Sequence, residues 1–149
     1  MNEPDREGAA AAEPVETVIE VEVRYAETDQ MGVVHHAVYP VWFEIARTRL
    51  CAGSGWHYAE IERLGYFLMV SGLEVSYRRP ARYGDTVAIA CRMTRYGSRG
   101  VSFGYVVSHR GERLATGATH HVWVETATGK PCRTPEVLRE PFARLAGGG

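Results

Sequence analysis

Val and Ile alternate with Glu and Arg through TVIEVEVRY, residues 17–25. That period of two puts one face of a strand in a core and the other in solvent. Further on, VYPVWFEIARTRLCAGSG carries Val38, Val41, Trp42, Ile45, Ala46 and Leu50 at spacings of mostly three and four, with Phe43 widening the stripe. The spacing predicts a helix with few polar positions. Pro40 lacks an N–H and fits only a first turn, so this helix starts near Val38 or Tyr39; Gly53 and Gly55 supply the stop. Four strand-like runs follow: YFLMVSGLEVSYRR, DTVAIACRMTRY, GVSFGYVVSHR and RLATGATHHVWVETAT. PARYG, GSRG and RGE between them read as short, hairpin-like connections. PEVLREPFARLAGGG permits a short, weak helix with Pro141 inside it.

One strand, one apolar helix and four successive strands give an α+β order, against the strand–helix alternation of a parallel sheet. A helix apolar over most of its circumference needs burial on more than one side. A curved antiparallel sheet wrapped around one long central helix, the hotdog fold, provides it. The 149 residues suit one domain, expected over 16–146. The Ala-, Pro- and Glu-rich stretch 1–15 offers no periodic apolar face and reads as a disordered acidic tail, and 147–149 as a frayed glycine tail. No stretch approaches the roughly 20 apolar residues of a membrane span, and the N-terminus lacks a basic and then apolar leader. A soluble, cytoplasmic protein is expected.

Composition narrows the chemistry. Cys51, Cys91 and Cys132 are odd in number and far apart, matching neither a disulfide framework nor close zinc-binding pairs; they read as reduced structural thiols. Residues 1–22 hold seven acids and one Arg, whereas 78–99 hold six Arg and one Asp. Either this is a local anion site or it reflects a chain with sixteen Arg and one Lys. A pI near 6.6 argues against nucleic acid as partner.

Asp29, Gly32, Val34, His36 and Tyr39 in TDQMGVVHHAVY, continuing through FEIAR, resemble the Asp-x-x-Gly-x-Val-x-His-x-x-Tyr run of the 4-hydroxybenzoyl-CoA thioesterase/YbgC-like family of hotdog acyl-CoA thioesterases. YRRPARYGD is similar to a second motif of that family, and the likeness covers roughly residues 19–145. One departure is Val38, where many members carry Asn or Ser. The resemblance implies an enzyme that hydrolyses an acyl-CoA or acyl-carrier-protein thioester, with coenzyme A as part of the substrate, no cofactor and no metal. It also implies a site between subunits of a homodimer or homotetramer.

Thioester hydrolysis needs a carboxylate, donors for an oxyanion and a channel for the thiol carrier. An aspartate is ordinarily ionised at neutral pH without special tuning, so Asp29 can serve as general base or nucleophile. The first N–H groups of a helix lack partners and carry the positive end of its dipole, and Gly32 lets the loop turn back over them. The family places an oxyanion-binding amide at the position of His36, flanked here by His35. Adjacent side chains in extended chain point opposite ways, so only one of the two is expected to meet substrate. Tyr39 is a pocket candidate; Trp42 and Phe43 are core first. Arg78, Arg79, Arg82, Arg95 and Arg99 form the pool for the carrier's phosphates. Glu44, in the helix, is a weaker acid candidate. His120 and His121 should face opposite sides of a strand, one to solvent and one to the core, which disfavours a metal site. The alternatives are a non-catalytic acyl-CoA or acyl-carrier-protein binding module, a hotdog enoyl-CoA hydratase, or a structural oligomerisation domain.

Overall fold

The computed structural model describes residues 13–148. Its strands are β1 (Glu16–Glu22), β2 (Tyr66–Tyr77), β3 (Thr86–Tyr96), β4 (Gly100–His109) and β5 (Glu112–Glu125), and its helices α1 (Tyr39–Ala52), α2 (Tyr58–Arg63) and α3 (Glu136–Leu145). The strands form one antiparallel sheet in the order β1-β3-β4-β5-β2. Register shifts at Val70/Gly72, Met93/Arg95 and Val107/Ser108 add local twist, and the curved sheet holds α1 against its inner face. This is the expected hotdog arrangement.

The inner residues of α1 explain the fit. Trp42, Phe43, Ala46 and Leu50 are buried, and Phe43 stacks on Tyr105 of β4 with ring centroids 4.2 Å apart. The same ring lies over β5 at Gly117, where a Cβ would sit 2.3 Å from Phe43 Cε2. Helix and sheet approach this closely because Gly117 has no side chain.

Several local expectations change. PARYG is not a hairpin: β2 pairs with β5, and β3 lies between β1 and β4, so this segment carries the chain across the sheet. GSRG and RGE do close hairpins, the latter through Arg110 and Gly111, both at positive φ (49° and 78°), the backbone of a type I′ turn. The helix α2 went unread in the sequence. The C-terminal helix is no weak appendage, since Leu138, Phe142 and Leu145 are buried and Phe142 packs on Trp123 of β5 at 5.6 Å. Pro141 is accommodated because the bond it forgoes would go to Val137, an exposed first-turn residue.

The tails differ too. Residues 1–12 of the expected acidic tail lie outside the described residues, but the Val15 N–H donates to the Leu145 carbonyl at 2.9 Å, so the chain is tied down before β1 begins. Gly147 and Gly148 are not frayed. With Gly147 at φ 88°, their N–H groups donate to the carbonyls of Arg144 (3.0 Å) and Ala143 (2.8 Å), the paired bonds of a Schellman cap; residue 149 lies outside the described range. Among the described residues no helix is long and apolar enough to cross a membrane.

Candidate active site

The loop from β1 to α1 is a set of short hydrogen-bonded turns. The Val23 N–H donates to the Asp85 carbonyl at 2.8 Å, holding the loop's start against the end of PARYGD. A single 3-10 turn, Tyr25–Glu27, follows. Asp29 then opens a tight reversal: its N–H donates to the Val33 carbonyl (2.9 Å) and its own carbonyl accepts from Gly32 (3.0 Å). Its Oδ1 accepts from the Met31 N–H at 2.9 Å. Gly32, at φ 77° with open space where a Cβ would stand, is required by backbone conformation rather than by crowding. The Val34 N–H, donating to the buried Ala81 at 2.8 Å, pins the reversal to PARYG, which explains why the two motifs read in the sequence occur together.

At the entrance to α1 a 3-10 turn, His36–Val38, precedes the helix proper. Most of its amides are taken. His35 N–H donates to the Glu27 carbonyl (2.8 Å) and Val38 N–H to the His35 carbonyl (3.0 Å), while Ala37 N–H donates to His35 Nδ1 (3.0 Å). Among the described residues the His36 N–H has no hydrogen-bond partner, and neither does Asp29 Oδ2. The turn is held from outside by the Tyr77 hydroxyl, which donates to the His36 carbonyl at 2.6 Å.

Asp29, His36, Tyr39, Tyr77, Arg78 and Arg79 meet around an open cleft of about 330 Å³. Asp29 and His36 thus line one cavity at the head of α1, where the helix dipole favours negative charge. Tyr39 is buried beneath it, edge-on to Tyr77 at 5.1 Å; burial raises the Tyr39 phenol above its usual range, so it stays a neutral wall.

Other expected site residues lie elsewhere. His35 is not in the cleft wall: its Nδ1 caps the turn. The expectation that the two rings point apart also fails, because the 3-10 turn stacks them 4.2 Å apart at 27°. Gly32 shapes the loop without lining the cleft. Arg79 is paired with Glu112; Arg78 has no ion-pair partner among the described residues. Arg82 sits in the PARYGD turn, its N–H donating to Asp85 Oδ2 at 2.9 Å. Arg95 lies nine residues along β3 from Thr86, about 30 Å of strand away, with its Nε donating to Ser102 Oγ at 3.3 Å. Arg99, in the GSRG hairpin, is farther still. The Arg-rich stretch is therefore not one patch. Glu44 is exposed on α1 and outside the Asp29 cleft.

His120 and His121 divide as expected for a strand. His121 is buried, 2.8 Å from Thr119 Oγ1, which in turn lies 2.6 Å from the Tyr105 hydroxyl. Burial first, and then the Arg47 charge, lower its pKa to about 4. His120 is on the opposite face, 2.7 Å from Ser102 Oγ. Among the described residues no three His, Cys, Asp or Glu are grouped to hold a metal, and all three cysteines are free thiols.

One buried acid beside Asp29 escaped the sequence reading. Glu27 is 7% exposed, and both its oxygens are used, Oε1 by the Arg24 N–H (2.8 Å) and Oε2 by the Trp42 indole (3.1 Å). An acid two residues from Asp29 gave no periodic signal; only the fold shows which of the two is buried.

A long helix cradled by one curved antiparallel sheet is the hotdog arrangement, and the Asp29 cleft lies at the head of that helix. Comparison with protein families matches residues 23–142 to the Thioesterase-like superfamily, and the chain belongs to it. YneP of Bacillus subtilis (strain 168), named as a candidate acyl-CoA thioesterase, is 38% identical over 113 residues, 75% of this chain and 82% of that protein. A DHNA-CoA thioesterase from Staphylococcus aureus superposes with a TM-score of 0.83 at 30% identity, covering 87% of this chain and 90% of that one. A thioesterase from Thermus thermophilus, solved with coenzyme A and Zn, gives 0.75 at 30% identity over 89% and 95%.

Proposed function

We propose that the chain hydrolyses acyl-CoA thioesters to the free acid and coenzyme A, with Asp29 as the catalytic carboxylate and the His36 N–H as an oxyanion donor. The observation that carries this reading is that Asp29 and His36 line one cleft, while an Asp29 oxygen and the His36 amide both lack hydrogen-bond partners among the described residues. As the tetrahedral centre forms, charge develops on the thioester oxygen, and an oriented amide there typically lowers the barrier by about 3 kcal/mol. Asp29 either takes the proton of the attacking water or adds to the carbonyl itself, giving an anhydride that water then opens; in both routes the thiolate of coenzyme A leaves. Arg78, beside the cleft, is the best-placed of the five arginines to meet a carrier phosphate. No cofactor beyond the coenzyme A of the substrate enters this scheme.

The same reading makes the protein a cytoplasmic homo-oligomer. β2 is an edge strand with Phe67, Met69, Val70 and Leu73 all 44–50% exposed, and Val41 and Ile45 of α1 are 51% and 43% exposed. An unpaired edge with this much apolar surface favours pairing with a second copy, as a dimer or as a tetramer of dimers.

The test is free-thiol release from a panel of acyl-CoA and acyl-carrier-protein thioesters, with Asp29→Asn as control. Turnover of at least one ester that the Asp29→Asn substitution abolishes supports the reading. Tight binding without thiol release, or an Asp29→Asn variant as fast as the parent, overturns it.

A further inference from the structure

We propose that Glu27 is a positioning residue: its buried carboxylate clamps the Asp29 loop to α1 and so fixes the catalytic acid relative to the amide at His36. The inference rests on the assignment of Asp29 as the catalytic carboxylate, and goes beyond it to a residue outside the cleft wall.

The clamp has three arms. Oε1 accepts from the Arg24 N–H at 2.8 Å, closing the 3-10 turn Tyr25–Glu27 from within. Oε2 accepts from the indole Nε1 of Trp42 at 3.1 Å, a bond between residues fifteen apart that joins loop to helix. The Glu27 carbonyl accepts from the His35 N–H at 2.8 Å, one residue before the free amide. Glu27 thus touches the chain on both sides of the Asp29 reversal and the helix onto which that reversal folds.

Trp42 is itself 2% exposed and packs on Tyr39 with ring centroids 5.0 Å apart. The indole therefore has little freedom, and the carboxylate bonded to it inherits that rigidity. Arg24 adds its guanidinium, with Nε 3.4 Å from Oε1, so the buried charge has a counter-charge at the loop surface. A carboxylate accepts at both oxygens at once, whereas the amide of Gln has one accepting oxygen and one donating nitrogen. Glu27→Gln can keep only one of the two bonds; the Arg24 bond closes a turn three residues long, so the Trp42 bond, between residues fifteen apart, is the one expected to be lost.

Rate follows geometry here, since a misplacement of about 1 Å in the reacting groups can cost about 10²-fold. Glu27 lies outside the cleft wall, so the loss is expected in kcat. The experiment measures kcat and KM for thiol release by the full chain, with thermal melts, for the parent, Glu27→Gln, Trp42→Phe, the double variant and Asp29→Asn. Glu27→Gln is expected to lower kcat at least about tenfold with KM changed less than about twofold. Trp42→Phe keeps the ring's bulk and removes the indole donor; it should lower kcat in the same direction, and the double variant should fall no further than Glu27→Gln alone, because both break one contact.

Unchanged kcat in a folded Glu27→Gln, additive losses in the double variant, or a loss confined to KM overturns the clamp. If Glu27→Gln does not fold, Trp42→Phe decides by itself, and a parental kcat there overturns the proposal. An Asp29→Asn variant with parental kcat instead defeats the underlying assignment, so the two failures are told apart.

Discussion

His35–His36 and His120–His121 are the same dipeptide folded two ways. In the first pair a 3-10 turn brings the rings face to face in the open, 4.2 Å apart, and leaves the His36 amide without a partner among the described residues. In the second, strand geometry sends the residues to opposite faces, and His121 is 1% exposed with its ring nitrogen 2.8 Å from Thr119. His121, Thr119 and Tyr105 satisfy one another, whereas the polar groups at the head of α1 are only partly satisfied. The difference teaches where chemistry is available: reactive residue types count only where the local backbone leaves a donor or acceptor free.

The largest effect is expected from removing the free acceptor. Asp29→Asn keeps the Oδ1 acceptor that receives the Met31 N–H, so the reversal and the melting temperature should hold. Thiol release should fall about 10³-fold, within the range of a lost general base or nucleophile. A variant that melts early and stays active would mean that Asp29 serves the loop rather than the reaction, and the contrast between the regions would collapse.

His121 sharpens the other side. Burial holds its imidazole at about 4 against an ordinary 6.5. Between those values the unfolded chain takes up a proton that the folded chain refuses, so stability declines as pH falls through that window and is fully present above it. The ceiling on this contribution is on the order of 3 kcal/mol. His121→Phe removes the titrating group. Urea midpoints followed from pH 7 to 4 should drop less steeply for the variant than for the parent, even though the variant begins lower at pH 7 for want of the Thr119 bond. Parallel slopes would assign the acid sensitivity elsewhere.

Gly117→Ala probes the packing that separates the two regions. A methyl there would meet the Phe43 ring at 2.3 Å and the Glu74 carbonyl at 2.9 Å. Either the ring tilts off Tyr105 or α1 lifts from β5, and overpacking of this kind costs about 1–3 kcal/mol. The urea midpoint should fall accordingly, and an unchanged midpoint would mean that the helix yields without strain.

How legible was this in the sequence? Alternation gave β1 and the later strands, and Pro40 with Gly53 bracketed α1 within a residue or so, because those signals come from each residue's own backbone preference. The partner of each strand was not legible. PARYG has the turn residues of a hairpin, yet β2 pairs with β5, a choice made by which faces can jointly cover α1. That Asp29 stands in the loop leading to α1 was legible through the motif around it. Glu27 was not, since its burial depends on Trp42 arriving from fifteen residues away. The scatter of the arginines had the same cause: Arg78 and Arg95 are close along the chain but at opposite ends of the connection that separates β2 from β3 and of β3 itself.

The smallest expected effect tests whether the open region is braced from outside as well as from within. Tyr77 is 49% exposed, and burial raises its phenol above the usual range, so its hydroxyl stays protonated and donates to the His36 carbonyl at 2.6 Å. Tyr77→Phe leaves the ring edge-on to Tyr39 and removes only that donor. A half-exposed hydrogen bond contributes at most about 1 kcal/mol, because water replaces it, so the melt should barely move. Turnover should fall about two- to fivefold with KM steady, since the freed carbonyl lets the 3-10 turn rock about the amide proposed to hold the oxyanion. A Phe variant equal to the parent in kcat would show that the inner attachment to the loop and Trp42 is sufficient to hold the helix entrance.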